Sequence, residues 1–215
     1  MASAAIVFVH GLWLTGVEST LLRRRLAAEL ACETSAFHYP SVTASMDEVL
    51  ARLHEFVGAL RADTLHFIGH SLGGIVVLRY LESHRDVSPG RAVLLGSPLG
   101  GSRAAQGLAR WPLGATILGR NIEAEVLKPQ VRQWDGRRDL GVIAGDLSLG
   151  FGRLVSELGG PNDGTVTVAE TQLVGATDHI ILPISHTGML LSAAVAHQAA
   201  HFLAHGRFER LSAAT

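Results

Sequence analysis

The chain has 215 residues, of which 47% are hydrophobic and 17% are charged, and its formal net charge is −1. This length favours a single domain, and the composition excludes a disordered chain. The near-neutral charge, with no basic run longer than three residues, gives no electrostatic reason to expect nucleic acid or an anionic membrane as a partner. The only cysteine, Cys32, excludes an intramolecular disulfide and a cysteine-rich metal site.

Apolar runs in the sequence are short. No stretch approaches the roughly 20 apolar residues that a membrane-spanning helix needs. The run near the N-terminus, Ala4–Val9, has no charged residues before it and is too short for the core of a secretion signal. We therefore expect no membrane span and a cytoplasmic location.

Short β-rich runs alternate with helical stretches along the chain. The predicted strands are, in order, Ala5–Val9, Thr34–His38, Leu65–Ile68, Arg91–Leu95, Leu140–Ala144 and Asp178–Leu182. The predicted helices are Ser19–Leu30, Met46–Arg61, Leu72–Ser83 and Gly188–Ala204. Several strands are continuously apolar, as strands covered on both faces are. The alternation predicts an α/β fold over residues 1–215, with a mostly parallel sheet of about six strands and helices on both faces.

Three local features refine this outline. Ser45 and Glu48 have the spacing of a capping box at the start of the second helix. Residues 97–134 are too long for a simple loop and carry a weak helical pattern, whereas residues 146–162 are glycine-rich and irregular. Long connections in a compact domain are more often functional than idle.

Residues 69–74 read GHSLGG and contain the pattern G-x-S-x-G around Ser71. The pattern alone is weak, because an ordinary glycine-rich turn can contain a serine. Here it follows a predicted strand and precedes a predicted helix. A serine on such a turn must adopt a strained backbone, which flanking glycines allow because a Cβ there would clash. The turn lifts the hydroxyl out at the carboxyl edge of the sheet, so Ser71 is the predicted nucleophile.

With this motif and the order of elements around it, the sequence resembles the lipase and esterase branch of the α/β-hydrolase superfamily, particularly compact bacterial lipases with a GHSLGG or GHSxGG elbow. The resemblance spans almost the whole chain and implies a minimal α/β-hydrolase fold that hydrolyses acyl esters. In such lipases an H-G-x segment after the first strand supplies one oxyanion N–H, and the residue after the nucleophile supplies the other. Residues 10–12 read HGL, so the resemblance implies the main-chain N–H groups of Leu12 and Leu72 as the oxyanion hole.

A serine nucleophile needs a general base that is oriented by a carboxylate, and in this superfamily the chain order is serine, acid, histidine. The histidines that lie late enough are His179, His186, His197, His201 and His205. His186 is the predicted base, because it follows the last predicted strand and so lies at the same sheet edge as Ser71. His179 falls inside that strand, and the other three share a face of the last helix, without a carboxylate or cysteine at metal-ligand spacing.

The predicted acid is Asp163. It lies in residues 161–166, PNDGTV, which resemble the N-D-G-x-V segment that carries the acid in these lipases. Asp-Gly is also an ordinary turn signal, so Asp146, which follows the same strand, remains an alternative. Asp178 is less suitable because it opens a strand at the opposite edge.

The predicted substrate-binding side chains are Trp13 and Trp111. Trp13 follows the oxyanion segment and is either a wall of the acyl pocket or ordinary core. Residues 97–134, which contain Trp111, predict a small helical cap over that pocket, or two short helices packed on the sheet. Its apolar candidates are Leu99, Leu108, Trp111, Leu113, Ile117 and Leu118. A cap this short leaves a shallow site, which favours short-chain acyl esters over long triglycerides.

The sequence therefore predicts a serine esterase or lipase that hydrolyses a small-molecule acyl ester through an acyl-enzyme. Acyl transfer to an alcohol or amine uses the same intermediate, and water exclusion would decide between the two. A binding protein with this fold and no turnover would be expected to have a damaged triad. We expect no cofactor and no metal, since calcium requires six to eight oxygen ligands and too few carboxylates lie together near His186. The oligomeric state is not defined by the sequence.

Overall fold

Six strands form one sheet in the computed structural model, which describes residues 3–114, 118–119, 125–128, 131–149 and 158–210. The strands are β1 (Ala4–Val9), β2 (Glu33–Phe37), β3 (Thr64–His70), β4 (Ala92–Leu95), β5 (Leu140–Gly145) and β6 (Asp178–Leu182). Their order is β2-β1-β3-β4-β5-β6, and every neighbouring pair is parallel. The prediction of a parallel sheet of about six strands is confirmed.

Helices cover both faces of this sheet. Those fully described are α1 (Thr20–Leu30), α2 (Met46–Ala59), α3 (Leu72–Ser83), α4 (Arg103–Ala109) and α5 (Ala193–His205). Alternate residues of β1 point to opposite faces, because successive side chains of a strand do. Val7 and Val9 pack with α2 and α3, whereas Ile6 and Phe8 pack with α1 and α5. Burial on both faces explains why the strands are continuously apolar.

The predicted first residue of α2 agrees with the structure, whereas that of α5 does not. Ser45 Oγ accepts the N–H of Glu48 at 3.3 Å, and a Glu48 carboxylate oxygen accepts the N–H of Ser45 at 2.7 Å, so the capping box is confirmed. The last helix does not begin at Gly188 as predicted. Residues Thr187–Leu190 form a 3₁₀ turn, and α5 begins only after Ser192, whose Oγ accepts the N–H of Val195.

The direction of strand addition reverses beside β1. The chain places β2 on one side of β1 and β3 on the other, so the loops that follow β1 and β3 leave the sheet in opposite directions. Such a reversal opens a crevice at the carboxyl ends of parallel strands, where ligands of open α/β sheets bind. Of the helices that the structure describes, none has both the length and the apolar character to cross a membrane.

Candidate active site

Ser71 occupies the sharp turn between β3 and α3. Its φ of 55° and ψ of −123° lie in a region that side-chain-bearing residues seldom adopt. Two backbone hydrogen bonds hold the turn: the N–H of Ser71 donates to Leu95 O at 2.9 Å, and the N–H of Gly74 donates to Ser71 O at 3.0 Å. The side chain of Ser71 opens into a cavity at the carboxyl edge of the sheet.

Glycines on both sides of Ser71 allow this turn to pack closely. A Cβ at Gly69 would lie 2.5 Å from the Cα of Gly74, and a Cβ at Gly73 would overlap the carbonyl oxygen of Val9 in β1. Real Cβ atoms do not approach other atoms this closely. The glycines of the motif are therefore required by contacts within the turn and with the neighbouring strand.

Asp163 and His186, which are 23 residues apart in the chain, form a buried hydrogen-bonded pair. His186 Nδ1 donates to Asp163 Oδ2 at 2.7 Å. The other carboxylate oxygen, Oδ1, accepts the N–H groups of Thr165 and Val166 at 2.9 and 2.7 Å, which fixes the carboxylate in its loop. With its hydrogen on Nδ1, the imidazole keeps the Nε2 lone pair available as a base. His186 also lines the cavity into which Ser71 opens.

Gly96, the residue after β4, lies directly against this pair. Its φ is +53°, and a Cβ there would lie 3.0 Å from Asp163 Oδ2 and 3.1 Å from His186 Nδ1. Only a glycine leaves both partners at their observed positions without strain. The sequence analysis missed this residue, although a glycine directly after a strand at the carboxyl edge was a usable signal.

Two of the residues that line the cavity have a main-chain N–H without a hydrogen-bond acceptor among the described residues. Leu12, after β1, and Leu72, the first residue of α3, both line it, and within the described part of the chain neither N–H donates a hydrogen bond. The N–H of Leu72 also stands at the positive end of a helix dipole. Both groups are thus available to an anionic oxygen beside Ser71.

A network around His10 holds the loop that carries Leu12. Tyr39 donates its N–H to His10 Nε2 at 3.3 Å, so the hydrogen of His10 lies on Nδ1, which donates to Gly11 O at 2.8 Å. The two rings stack at 4.3 Å, and burial lowers the pKa of His10. Trp13 has a φ of +60°, and its N–H donates to Ser41 Oγ at 3.1 Å. Ser41 and Tyr39 follow β2, and nothing in the sequence singled them out.

The cavity has a volume of about 310 Å³ and a mostly apolar lining. Its buried apolar lining includes Leu72, Ala104, Ala105, Leu108, Leu118 and Val126. The more exposed lining residues Trp13 and Leu149, which are 51% and 61% exposed, mark its mouth. Apart from His70 and His186, none of the described lining residues has an acidic or basic side chain.

The structure separates the two tryptophans that the sequence nominated for substrate binding. Trp13 lines the cavity. Trp111 is 52% exposed and does not line it, which corrects that expectation: α4 ends at Ala109, and Leu108 on that helix faces the cavity instead. Leu99 is buried in the core and Leu113 is 75% exposed, while Ile117 lies outside the described residues.

Neither alternative acid has a hydrogen bond to His186 among those that the described residues form. Asp146 is exposed, and Asp178 pairs with Arg210 at the opposite edge of the sheet. His179 in β6 bonds Thr171 Oγ1 through Nε2. On α5, His197 lies between the carboxylates of Glu29 and Glu209.

The arrangement of possible metal ligands in the described part of the chain bears on the three histidines of α5. No group of three or more histidine, cysteine, aspartate or glutamate side chains is arranged there to hold an ion.

Comparison with known proteins agrees with this architecture. A model described as the alpha/beta hydrolase family matches residues 6–211, so the chain belongs to the alpha/beta hydrolase family. No curated protein matches the chain.

Similar solved structures share the fold at low sequence identity. The Bacillus licheniformis lipase BlEst2 in its mature form is 20% identical, with a TM-score of 0.66 over 88% of this chain and 87% of that one. The metagenomic carboxyl esterase MGS0156 is 21% identical, with a TM-score of 0.60 over 86% of this chain and 65% of that one. The type II thioesterase BorB of the borrelidin biosynthetic cluster is 15% identical, with a TM-score of 0.62 over 94% and 92%.

Proposed function

We propose that the protein is a serine hydrolase that cleaves carboxylic esters through an acyl-enzyme. One observation carries the proposal: the Asp163–His186 pair, joined at 2.7 Å, opens into the same cavity as Ser71 on its strained turn. An oriented imidazole beside an exposed serine hydroxyl is what nucleophilic acyl transfer requires. The lipase and esterase names of two similar structures support the same reaction class.

In this mechanism Ser71 Oγ attacks the ester carbonyl while His186 Nε2 removes its proton. Asp163 keeps the proton of Nδ1 in place and stabilises the imidazolium that forms. The N–H groups of Leu12 and Leu72 bind the oxyanion, and each such donor contributes roughly 2.7–4 kcal/mol to the transition state. His186 then protonates the leaving alcohol, and water hydrolyses the acyl-enzyme by the same steps in reverse.

The substrate is a neutral ester with a short acyl chain. An apolar cavity of about 150 Å³ holds benzene, and this one is roughly twice that size, with a buried apolar lining. We propose that residues 97–134 act as the cap, since Leu108, Leu118 and Val126 of that segment form part of this lining. A cavity of this volume suits a short acyl chain better than the three long chains of a triglyceride.

A fluorophosphonate probe tests the proposal, because only an activated serine reacts rapidly with it. Wild-type protein should label and should hydrolyse p-nitrophenyl esters, with rates that fall as the acyl chain lengthens. Ser71→Ala and His186→Ala should each abolish activity, since members of a triad act as a unit. Ser88→Ala, at the opposite edge of the sheet, is the control and should label normally. Activity of Ser71→Ala within about tenfold of wild type would sink the assignment.

A further inference from the structure

His70 connects the turn of Ser71 with the loop of His186. It is the last residue of β3 and is only 2% exposed. Its Nε2 lies 3.1 Å from the main-chain oxygen of His186. The two imidazole rings are 4.8 Å apart between centroids and inclined by 45°. His70 is thus in contact with His186 while being bonded covalently to Ser71.

The hydrogen bond fixes the tautomer of His70. A carbonyl oxygen only accepts, so Nε2 carries the hydrogen and donates it. Nδ1 then holds a lone pair, and it has no hydrogen-bond partner within the described residues. Burial first, and then the neighbouring His186, lower the pKa of His70 to about 3. His70 therefore remains a neutral donor while His186 gains and loses its proton.

Three hydrogen bonds join His186 to residues outside its own turn in the described part of the chain, and they lead to two different segments. Its Nδ1 and its main-chain N–H both donate to Asp163, at 2.7 and 2.9 Å. These two bonds tie His186 to the Asp163 loop, with which it could move as one body. The third bond, from His70 to the carbonyl of His186, ties it to β3. That strand leads directly to Ser71.

We propose that His70 is a positioning residue that sets the location of the His186 imidazole relative to Ser71 by holding the main-chain carbonyl of His186. The role rests on the proposed function, because it matters only if His186 acts as the base of Ser71. Among the described residues, the side chain of His70 has no hydrogen bond to the side chain of Ser71 or of His186. Losing its bond should misplace the imidazole, and a misplacement of about 1 Å costs roughly a hundredfold in rate.

Three substitutions test this role. His70→Gln keeps an amide N–H near the position of Nε2, whereas the shorter His70→Asn keeps polarity but cannot reach the carbonyl. His70→Leu removes the donor altogether. We expect kcat to fall roughly tenfold to a hundredfold for His70→Asn and His70→Leu, with KM nearly unchanged, and His70→Gln to recover most of the loss. The proton NMR signal of His186 Nδ1–H should shift or broaden in the two variants that lack the donor.

If His70→Leu does not fold, the comparison of His70→Gln with His70→Asn still tests whether His70 positions His186. Equal kcat values and equal Nδ1–H signals for glutamine, asparagine and wild type overturn the role of His70. A loss confined to melting temperature overturns it as well, because a purely structural residue does not change kcat per labelled serine. A wild-type protein that neither labels nor hydrolyses esters instead overturns the proposed function.

Discussion

The backbone of Ser71 is held in an unfavourable φ/ψ region by its surroundings. Non-glycine residues in such φ/ψ regions cost on the order of 1–3 kcal/mol. The cost is tolerated because bonded neighbours determine the turn: Leu95 O accepts the Ser71 N–H, and Gly73 packs on the backbone of β1. In this conformation the side chain of Ser71 lies at the cavity. The contacts that hold the backbone of the turn therefore also place the hydroxyl group there.

The acid can be identified with two single substitutions. Asp163→Asn should lower kcat by roughly 10⁴-fold, because an amide orients the wrong tautomer of the histidine. Asp146→Asn should leave kcat within a few-fold, since that side chain is exposed and lies in another part of the loop. Steady-state kinetics on a p-nitrophenyl ester measure both. If Asp146→Asn proves the crippling change, the acid has been misassigned.

Gly96 offers a test of how closely the Asp163–His186 pair is packed. Gly96→Ala should lower kcat strongly, since its Cβ would press on Asp163 Oδ2 and His186 Nδ1 from 3.0 and 3.1 Å. Gly136→Ala is the matched control, because Gly136 also has a positive φ but a Cβ there meets nothing within 4 Å. Both variants should lose stability through backbone strain. Equal kcat values for the two would contradict the packing argument.

At the scale of elements, the loop after β1 depends on a residue from the loop after β2. Trp13 adopts a positive φ, and the bond from its N–H to Ser41 Oγ supports that conformation directly beside Leu12. The loop that carries one proposed oxyanion donor is therefore positioned by a neighbouring segment. Parallel strands make this possible because their carboxyl ends meet at one edge.

Ser41→Ala should consequently lower kcat more than it lowers stability. We expect a fall of about tenfold or more, because removing a whole oxyanion donor costs roughly 10²–10³ and this change only misplaces one. Ser45→Ala is the control: it removes the cap of α2 and should cost about 1 kcal/mol of unfolding free energy without changing kcat. Urea unfolding and steady-state kinetics on both variants separate the two effects. An unchanged kcat for Ser41→Ala would contradict this view of the loop.

At the scale of the whole molecule, buried histidines make stability depend on pH. Burial is the largest cause that lowers the pKa of His66 to about 4 and of His70 to about 3, and it also lowers the pKa of His10 and His179. Below about pH 6.5 the unfolded chain binds protons that the folded chain does not. Folding stability therefore falls as pH decreases from about 6.5 towards 4.

Urea unfolding at pH 7, 6 and 5 measures this dependence. Each fully buried histidine contributes a slope of up to about 1.4 kcal/mol per pH unit within that window. His66→Gln, which keeps the residue polar and removes the titration, should flatten the curve. Glu209 and Glu29 raise the pKa of His197, so this residue favours the folded state as the pH falls. Because His197 is exposed, its contribution to the free energy of unfolding is small. A free energy of unfolding that does not change between pH 7 and 5 would refute the prediction.

The whole molecule is also expected to fold and work without a metal ion. EDTA should leave both kcat and the melting temperature unchanged, because a calcium site needs several carboxylates together. Asp163 is bonded to His186, and Asp146 is an exposed carboxylate that follows β5. A fall of several degrees on chelation, reversed by added calcium, would contradict this expectation and would implicate Asp146 as a ligand.

Local patterns in the sequence determined much of the architecture. Apolar runs bounded by helical stretches predicted all six strands, because strands buried on both faces must be continuously apolar. The spacing of Ser45 and Glu48 predicted the start of α2, since a capping box is formed within four residues. The glycines around Ser71 predicted a turn, because their role depends on contacts made inside the turn and with the adjacent strand.

Only the tertiary structure decided which distant residues meet. The resemblance of residues 161–166 to the N-D-G-x-V segment favoured Asp163 over Asp146, but it gave no distance to His186, and the position of Gly96 after a strand did not show which residues it contacts. No local pattern indicates that Ser41 supports Trp13. These contacts join loops from different strands, and their distances depend on how the carboxyl ends of the sheet are arranged in space. The same holds for Trp111: its sequence did not show whether the side chain packs on the cavity or faces solvent, and in the fold it is 52% exposed and is not among the lining residues.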